Sequence, residues 1–168
     1  MDLIVSENGT ARFGAHTYRC AIGRGGIRVD KTEGDGASPA GAYSLVRGMY
    51  RGDRVDAPDT ILPMAPIAEH DGWCDAPDDP AYNRQVTLPY PASCENMFRD
   101  DALYDIVVVT DHNANPISPG AGSAIFIHIA GGPEYPPTEG CIAFQPADLR
   151  EILSRWQRRS DRLVINPS

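Results

Sequence analysis

A mainly β domain with one helix is the fold this sequence predicts, on three observations. Gly (16) and Pro (15) are frequent, which favours short segments joined by turns over long helices. Apolar residues through most of the chain come in short runs or at every second position. Helical spacing is sustained clearly in one place, after Pro146. At 168 residues, with 42% hydrophobic and 23% charged side chains, the chain suits one ordinary folded domain with a real core.

The elements follow in order. Leu3-Ile4-Val5, a Glu7-Asn8-Gly9 turn and Ala11-Arg12-Phe13 read as a hairpin. Thr17 to Ile22 and Ala42 to Val46 are further strands, separated by Gly23-Arg24-Gly25-Gly26 and the turn-rich stretch 31–41. Residues 51–100 are rich in Pro and Asp and lack sustained periodicity. A span of that length is not a plain connection, so it is expected to be a lid or an insertion with short elements of its own. Tyr104 to Thr110 carries Ile106-Val107-Val108-Val109, a run suited to a strand buried on both faces. Ala124 to Ala130 alternates, with Ile125, Ile127 and Ile129 on one face and Phe126, His128 and Ala130 on the other. The isoleucines face the core, and His128 points the opposite way. Pro146 suits the first position of a helix and Asp148 its positive end. Leu149, Ile152, Leu153 and Trp156 then fall at i, i+3, i+4 and i+7. Leu163-Val164-Ile165 is a last strand. No repeat or linker divides the chain, so residues 1–168 are read as a single domain.

Charge narrows the partners. The net charge is −8 and no Lys or Arg stripe is present, so neither nucleic acid nor an anionic membrane surface is an expected partner. No apolar run reaches the roughly 18 residues of a membrane span. The opening MDLIVSENGT lacks the basic and apolar regions of a secretory signal. The cysteines (20, 74, 94, 141) and histidines (16, 70, 112, 128) show no paired metal spacing, so neither a metal nor an organic cofactor is expected. Cys74 and Cys94 flank a Pro-rich stretch and could pair in an oxidising compartment, with free thiols as the default.

One segment carries chemistry: AIFIHIAGGPEYPPTEGCIAF (124–144) sets a strand-borne His128 ahead of Cys141, with a Gly/Pro loop between them. A thiol of ordinary pKa about 8.5 is mostly protonated at neutral pH, and a neighbouring imidazole can take that proton. Covalent capture of an acyl group then splits one hard step into two easier ones. Gly140, just before the nucleophile, lets backbone N–H groups turn toward a developing oxyanion. Alone, a Cys and a His are most often an inert core residue and a satisfied polar one. The strand pattern that turns His128 off the core face favours the catalytic reading.

Three motifs in order, KTEGDGASPAGAYSL (31–45), GSAIFIHIAG (122–131) and PTEGCIAF (137–144), make the chain resemble the YkuD-type L,D-transpeptidase domain, over residues 1–165. The resemblance implies a curved β-sandwich with a small helix, and an enzyme that cross-links peptidoglycan stem peptides through an acyl-cysteine. It implies Cys141 as nucleophile, His128 as base, and the backbone N–H groups of Gly140 and Cys141 as the oxyanion hole. It also implies a place in the cell envelope or periplasm. A monomer is expected. Gly34, Asp35, Gly36, Pro39 and Gly41 match the family's N-terminal turn, read here as structural, with Asp35 capping backbone amides. Glu139 stands where most members have a second histidine, and Ala143 where they have a polar residue. The His-to-Cys spacing is shorter than in most members. Glu139 would raise the thiol pKa unless it faces away.

With Ala143 unable to anchor the donor, Arg84 is the candidate clamp for its carboxylate, against a reading as a solvated loop charge. Tyr135 could line the cleft or pack as a loop aromatic, and Trp73 could wall a lid or simply pack. The departures leave room for a link other than the usual one between two diaminopimelate residues. They also leave room for an L,D-carboxypeptidase or amidase, or for an inactive peptidoglycan-binding module.

Overall fold

In the computed structural model, which describes residues 1–167, the alternating and apolar runs form fifteen short strands and one helix. They are β1 (Leu3–Ser6), β2 (Thr10–Phe13), β3 (His16–Arg19), β4 (Ile27–Arg28), β5 (Ser38–Pro39), β6 (Gly41–Tyr43), β7 (Leu45–Tyr50), β8 (Met64–Pro66), β9 (Asp71–Cys74), β10 (Gln85–Thr87), β11 (Cys94–Asn96), β12 (Ile106–Thr110), β13 (Phe126–Ile129), β14 (Ile142–Phe144), α1 (Pro146–Arg155) and β15 (Leu163–Asn166). The main sheets run β3-β2-β1-β15-β6 and β14-β13-β12-β7-β8. A third, β10-β9-β11, is built wholly from residues 51–100, and β4-β5 makes a short parallel pair.

The first hairpin forms where expected. The Asn8 side-chain oxygen accepts from the Thr10 N–H at 3.1 Å, and Gly9 adopts φ +75°. The run expected as one strand over 42–46 is two: β6 pairs with β15 in the first sheet, and β7 with β12 in the second. The chain changes sheets at Ser44, whose N–H donates to Asp111 Oδ1 at 2.8 Å. The strand expected over 17–22 ends at Arg19, and Ala21 makes only an isolated bridge to Ala143.

Two cores share the second sheet. Ile106 and Val108 of β12 and Ile127 and Ile129 of β13 join Phe13, Leu149, Leu153 and Trp156 in the larger core, beneath the first sheet and α1. Val107, Val109 and Phe126 point the other way, against Trp73 of the small sheet and Met97 just after it. Strand β12 is therefore buried on both faces, as its unbroken apolar run requires. Within residues 51–100, β8 pairs with β7 in the second sheet, while β9, β10 and β11 form a sheet of their own that meets the body through Trp73 and Met97. Helix α1 starts at Pro146 and buries Leu149, Ile152 and Leu153, while Trp156 sits at its C-cap. No described helix is long and apolar enough to cross a membrane.

Candidate active site

Alternation along β13 decides where the chemistry sits. Ile127 and Ile129 fill the main core, which leaves Phe126 and His128 on the opposite face. Strand β14 runs parallel beside β13, with Ala143 in register with His128, so Cys141 enters just before β14 on the same side of the sheet. His128 and Cys141 line one cavity of about 470 Å³, together with Lys31, Asp75, Glu95, Arg99 and Tyr104.

The thiol and the ring are each satisfied by backbone. Cys141 Sγ donates to the Ala124 carbonyl at 3.1 Å and accepts from the Phe126 N–H at 3.3 Å. Ala124 takes φ +53°, an uncommon conformation for a residue with a Cβ. His128 Nδ1 lies 2.8 Å from the Ile129 carbonyl. A carbonyl only accepts, so the ring hydrogen sits on Nδ1 and Nε2 carries the free lone pair. Tyr104 packs edge-on against the imidazole, ring centres 5.5 Å apart. Among the described residues, Cys141 and His128 share no hydrogen bond.

Both groups rest neutral. Burial pushes the Cys141 thiol up to about 12, helped by the Glu95 charge and opposed by the Phe126 N–H and Lys31. Burial lowers His128 to about 4, with Arg99 adding to the effect and the Ile129 carbonyl and Asp101 opposing it. A preformed thiolate–imidazolium pair is thus disfavoured before a substrate arrives. The site holds an uncharged base and an uncharged acid.

Gly140 adopts φ +138°, and a Cβ there would meet the Ala37 carbonyl oxygen at 2.7 Å, so the position accepts only glycine. Its carbonyl accepts from the buried Ser38 hydroxyl at 2.8 Å. Its N–H donates to Thr138 Oγ1 at 3.1 Å, and the same hydroxyl donates to the Cys141 carbonyl at 2.6 Å. Asp35 caps its turn as expected, accepting from the N–H groups of Thr32 and Ala37 and from Lys31 Nζ at 2.5 Å. Burial raises the Asp35 carboxyl, but those three donors outweigh it and hold it at about 2.

The remaining expected residues divide. Glu139 borders the cavity but is exposed and paired with Arg24 at 2.9 Å. Arg84 is exposed and outside the cavity; the cations in its lining are Lys31 and Arg99. Tyr135 packs under the Arg19 guanidinium at 4.6 Å, beside Ala21, Ala130 and Ala143, and lines a separate hollow. Trp73 is buried 4.9 Å from the Phe126 ring and does not line the cavity. Ala143 is closed in by Ala21 and Ala130, leaving no room for an anchoring side chain.

Sequence reasoning missed Asn83, although it lies next to Arg84. Its side-chain oxygen accepts from Trp73 Nε1 and the Ala124 N–H, both at 3.0 Å, and its Nδ2 donates to the carbonyls of His112 and Asn113. It therefore fixes the residue whose carbonyl holds the thiol. Thr138 and Ser38 were missed as well; their positions in PTEGC and ASPAG are the only signal. Among the described residues no group of three or more His, Cys, Asp or Glu is placed to share a metal ion.

The family model of the YkuD L,D-transpeptidase catalytic domain matches residues 3–165. Neither the curated proteins nor the solved structures searched include a match to this chain.

Proposed function

From membership of the YkuD L,D-transpeptidase catalytic-domain family, to which the chain belongs, we propose that it is a peptidoglycan L,D-transpeptidase of the cell envelope that works through an acyl-Cys141 thioester. What carries the reading is the shared cavity: a base-competent imidazole nitrogen on β13 and a thiol on the residue that leads into the parallel β14 line the same hollow.

The chemistry follows from the two neutral groups. A donor stem peptide displaces the thiol from the Ala124 carbonyl, and His128 Nε2 takes the thiol proton as Sγ attacks the carbonyl carbon between an L-centre and a D-residue. The oxyanion is met by the Cys141 N–H, joined by the Gly140 N–H when the Thr138 hydroxyl swings aside. His128 returns the proton to the leaving amine, the D-residue departs, and the thioester remains. An acceptor amine then attacks the thioester, His128 takes its proton and passes it to the departing sulfur, and the new amide leaves.

The wall contributed by residues 51–100 suits an amine acceptor. Asp75 Oδ1 is a buried carboxylate oxygen with no hydrogen-bond partner among the described residues, and Glu95 lies near enough to be affected by its charge. A buried carboxylate oxygen is costly unless a donor reaches it, and an incoming ammonium supplies one. Arg99 and Lys31 are the cations in the lining that could meet the donor carboxylate, Arg99 while held by Asp101 and Lys31 while held by Asp35. Incubating the protein with tetrapeptide muropeptides tests the proposal. Cross-linked dimers that vanish in Cys141→Ala are expected. Shortened monomers alone would assign a carboxypeptidase, and unchanged substrate would leave only a binding module.

A further inference from the structure

The three-stranded sheet carries a pair of sulfurs, separate from Cys141 and one residue away from the cavity-lining Asp75 and Glu95. Cys74 of β9 and Cys94 of β11 are direct cross-strand partners, and both are free thiols. Their register matters. The Cys74 N–H donates to the Arg84 carbonyl and its carbonyl accepts from the Asn83 N–H, both at 2.9 Å, so its polar backbone groups face away from β11. The next residue, Asp75, donates its N–H to the Ser93 carbonyl across the β9–β11 pair. Cys74 and Cys94 are therefore a non-hydrogen-bonded pair, in which Cα atoms stand about 4.5 Å apart and side chains are closest. A disulfide needs Cα atoms about 4.4–6.8 Å apart, so the bond closes without moving the backbone far.

We propose that Cys74 and Cys94 form a disulfide in an oxidising compartment, clipping the central strand of this sheet to its neighbour. Cys94 is partly exposed while Cys20, Cys74 and Cys141 are buried, so Cys94 meets the oxidant first. Its thiolate attacks a sulfur of a disulfide-bearing oxidant, a thiol–disulfide oxidoreductase or oxidised glutathione, forming a mixed disulfide and expelling one thiolate. The Cys74 thiolate then attacks the Cys94 sulfur, forms the Cys74–Cys94 bond and expels the second thiolate. Two electrons and the two thiol protons pass to the oxidant, which leaves as a dithiol or as two thiols. Burial, the Cys74 sulfur and the Asp75 and Asp79 charges hold the Cys94 thiol above its ordinary value, which makes spontaneous oxidation slow and catalysed exchange the efficient route. The clip ties together the strands that carry Trp73 and Glu95. It also consumes the most exposed thiol and leaves Cys141 reduced.

The test is peptide mapping of the full folded chain equilibrated with oxidised glutathione at mildly alkaline pH and then alkylated after unfolding. Expected are one linked peptide pair joining Cys74 to Cys94, alkylated Cys20 and Cys141, and a melting temperature several degrees above that of the reduced protein. In Cys94→Ala the oxidant should give no linked pair and no gain in melting temperature. A glutathione adduct persisting on Cys94 of the wild type, a bond to Cys20 or Cys141, or an equal gain in Cys94→Ala would overturn the proposal. None of these outcomes depends on whether Cys141 transfers acyl groups.

Discussion

At the scale of single residues, burial sets the terms for both groups of the proposed reaction. It raises the Cys141 thiol to about 12 and lowers the His128 imidazole to about 4, so the proton rests on sulfur. A small alkylating agent brings no base and draws only on the thiolate. Iodoacetamide labelling of Cys141, followed by peptide mapping, should therefore rise about tenfold per pH unit from roughly pH 7 to 9. A plateau over that range would mean a preformed thiolate. The sequence made the direction of His128 legible, because three alternating isoleucines can satisfy the core from only one face. Asn83, Thr138 and Ser38 were not legible, since each acts through backbone groups that meet it only after distant loops have landed. Arg84 carries the charge that a carboxylate clamp calls for, yet it lies exposed outside the cavity. Its neighbour Asn83 holds the site, because a buried amide can satisfy donors and acceptors at once.

At the scale of the element, the proposed reaction divides β13 by its faces, with stability on the isoleucine face and chemistry on the His128 face. Ile127→Ala should cost about 2–5 kcal/mol of unfolding free energy, from lost burial and the cavity left behind, while the protein that remains folded still takes an acyl group. His128→Gln should still unfold cooperatively but lose at least about 100-fold in acylation rate. Denaturant titration and single-turnover acylation of both variants measure the two effects, and a reversed pattern would show that the faces are misassigned. Other elements were readable for the same kind of reason. The apolar stripe fixes α1, and the Asn-Gly turn fixes the first hairpin. The division of 42–46 between two sheets was hidden, because the exchange at Ser44 depends on Asp111, far along the chain. Residues 51–100 show no sustained period because their four strands are only three or four residues long and belong to two different sheets.

For the whole molecule, the buried histidine links stability to pH. His128 binds its proton near pH 4 when folded and near its ordinary 6.5 when unfolded. The unfolded chain therefore takes up more protons between those values, and stability is lost as pH falls from about 6.5 toward 4, by up to about 3 kcal/mol from this group. His112, also lowered to about 4 chiefly by burial, acts in the same window. Asp35, held at about 2, gives up its contribution only at lower pH, below its ordinary 3.8. Melting temperatures across this range should fall less steeply for His128→Gln than for the wild type, and equal slopes would remove His128 from the explanation. The most direct test of the whole account is the intact mass of the protein, acid-quenched during turnover of a tetrapeptide donor and then mapped by peptide. An acyl adduct on Cys141, absent from Cys141→Ala, is the predicted result; cross-linked product formed by Cys141→Ala, or an adduct on another residue, would contradict it.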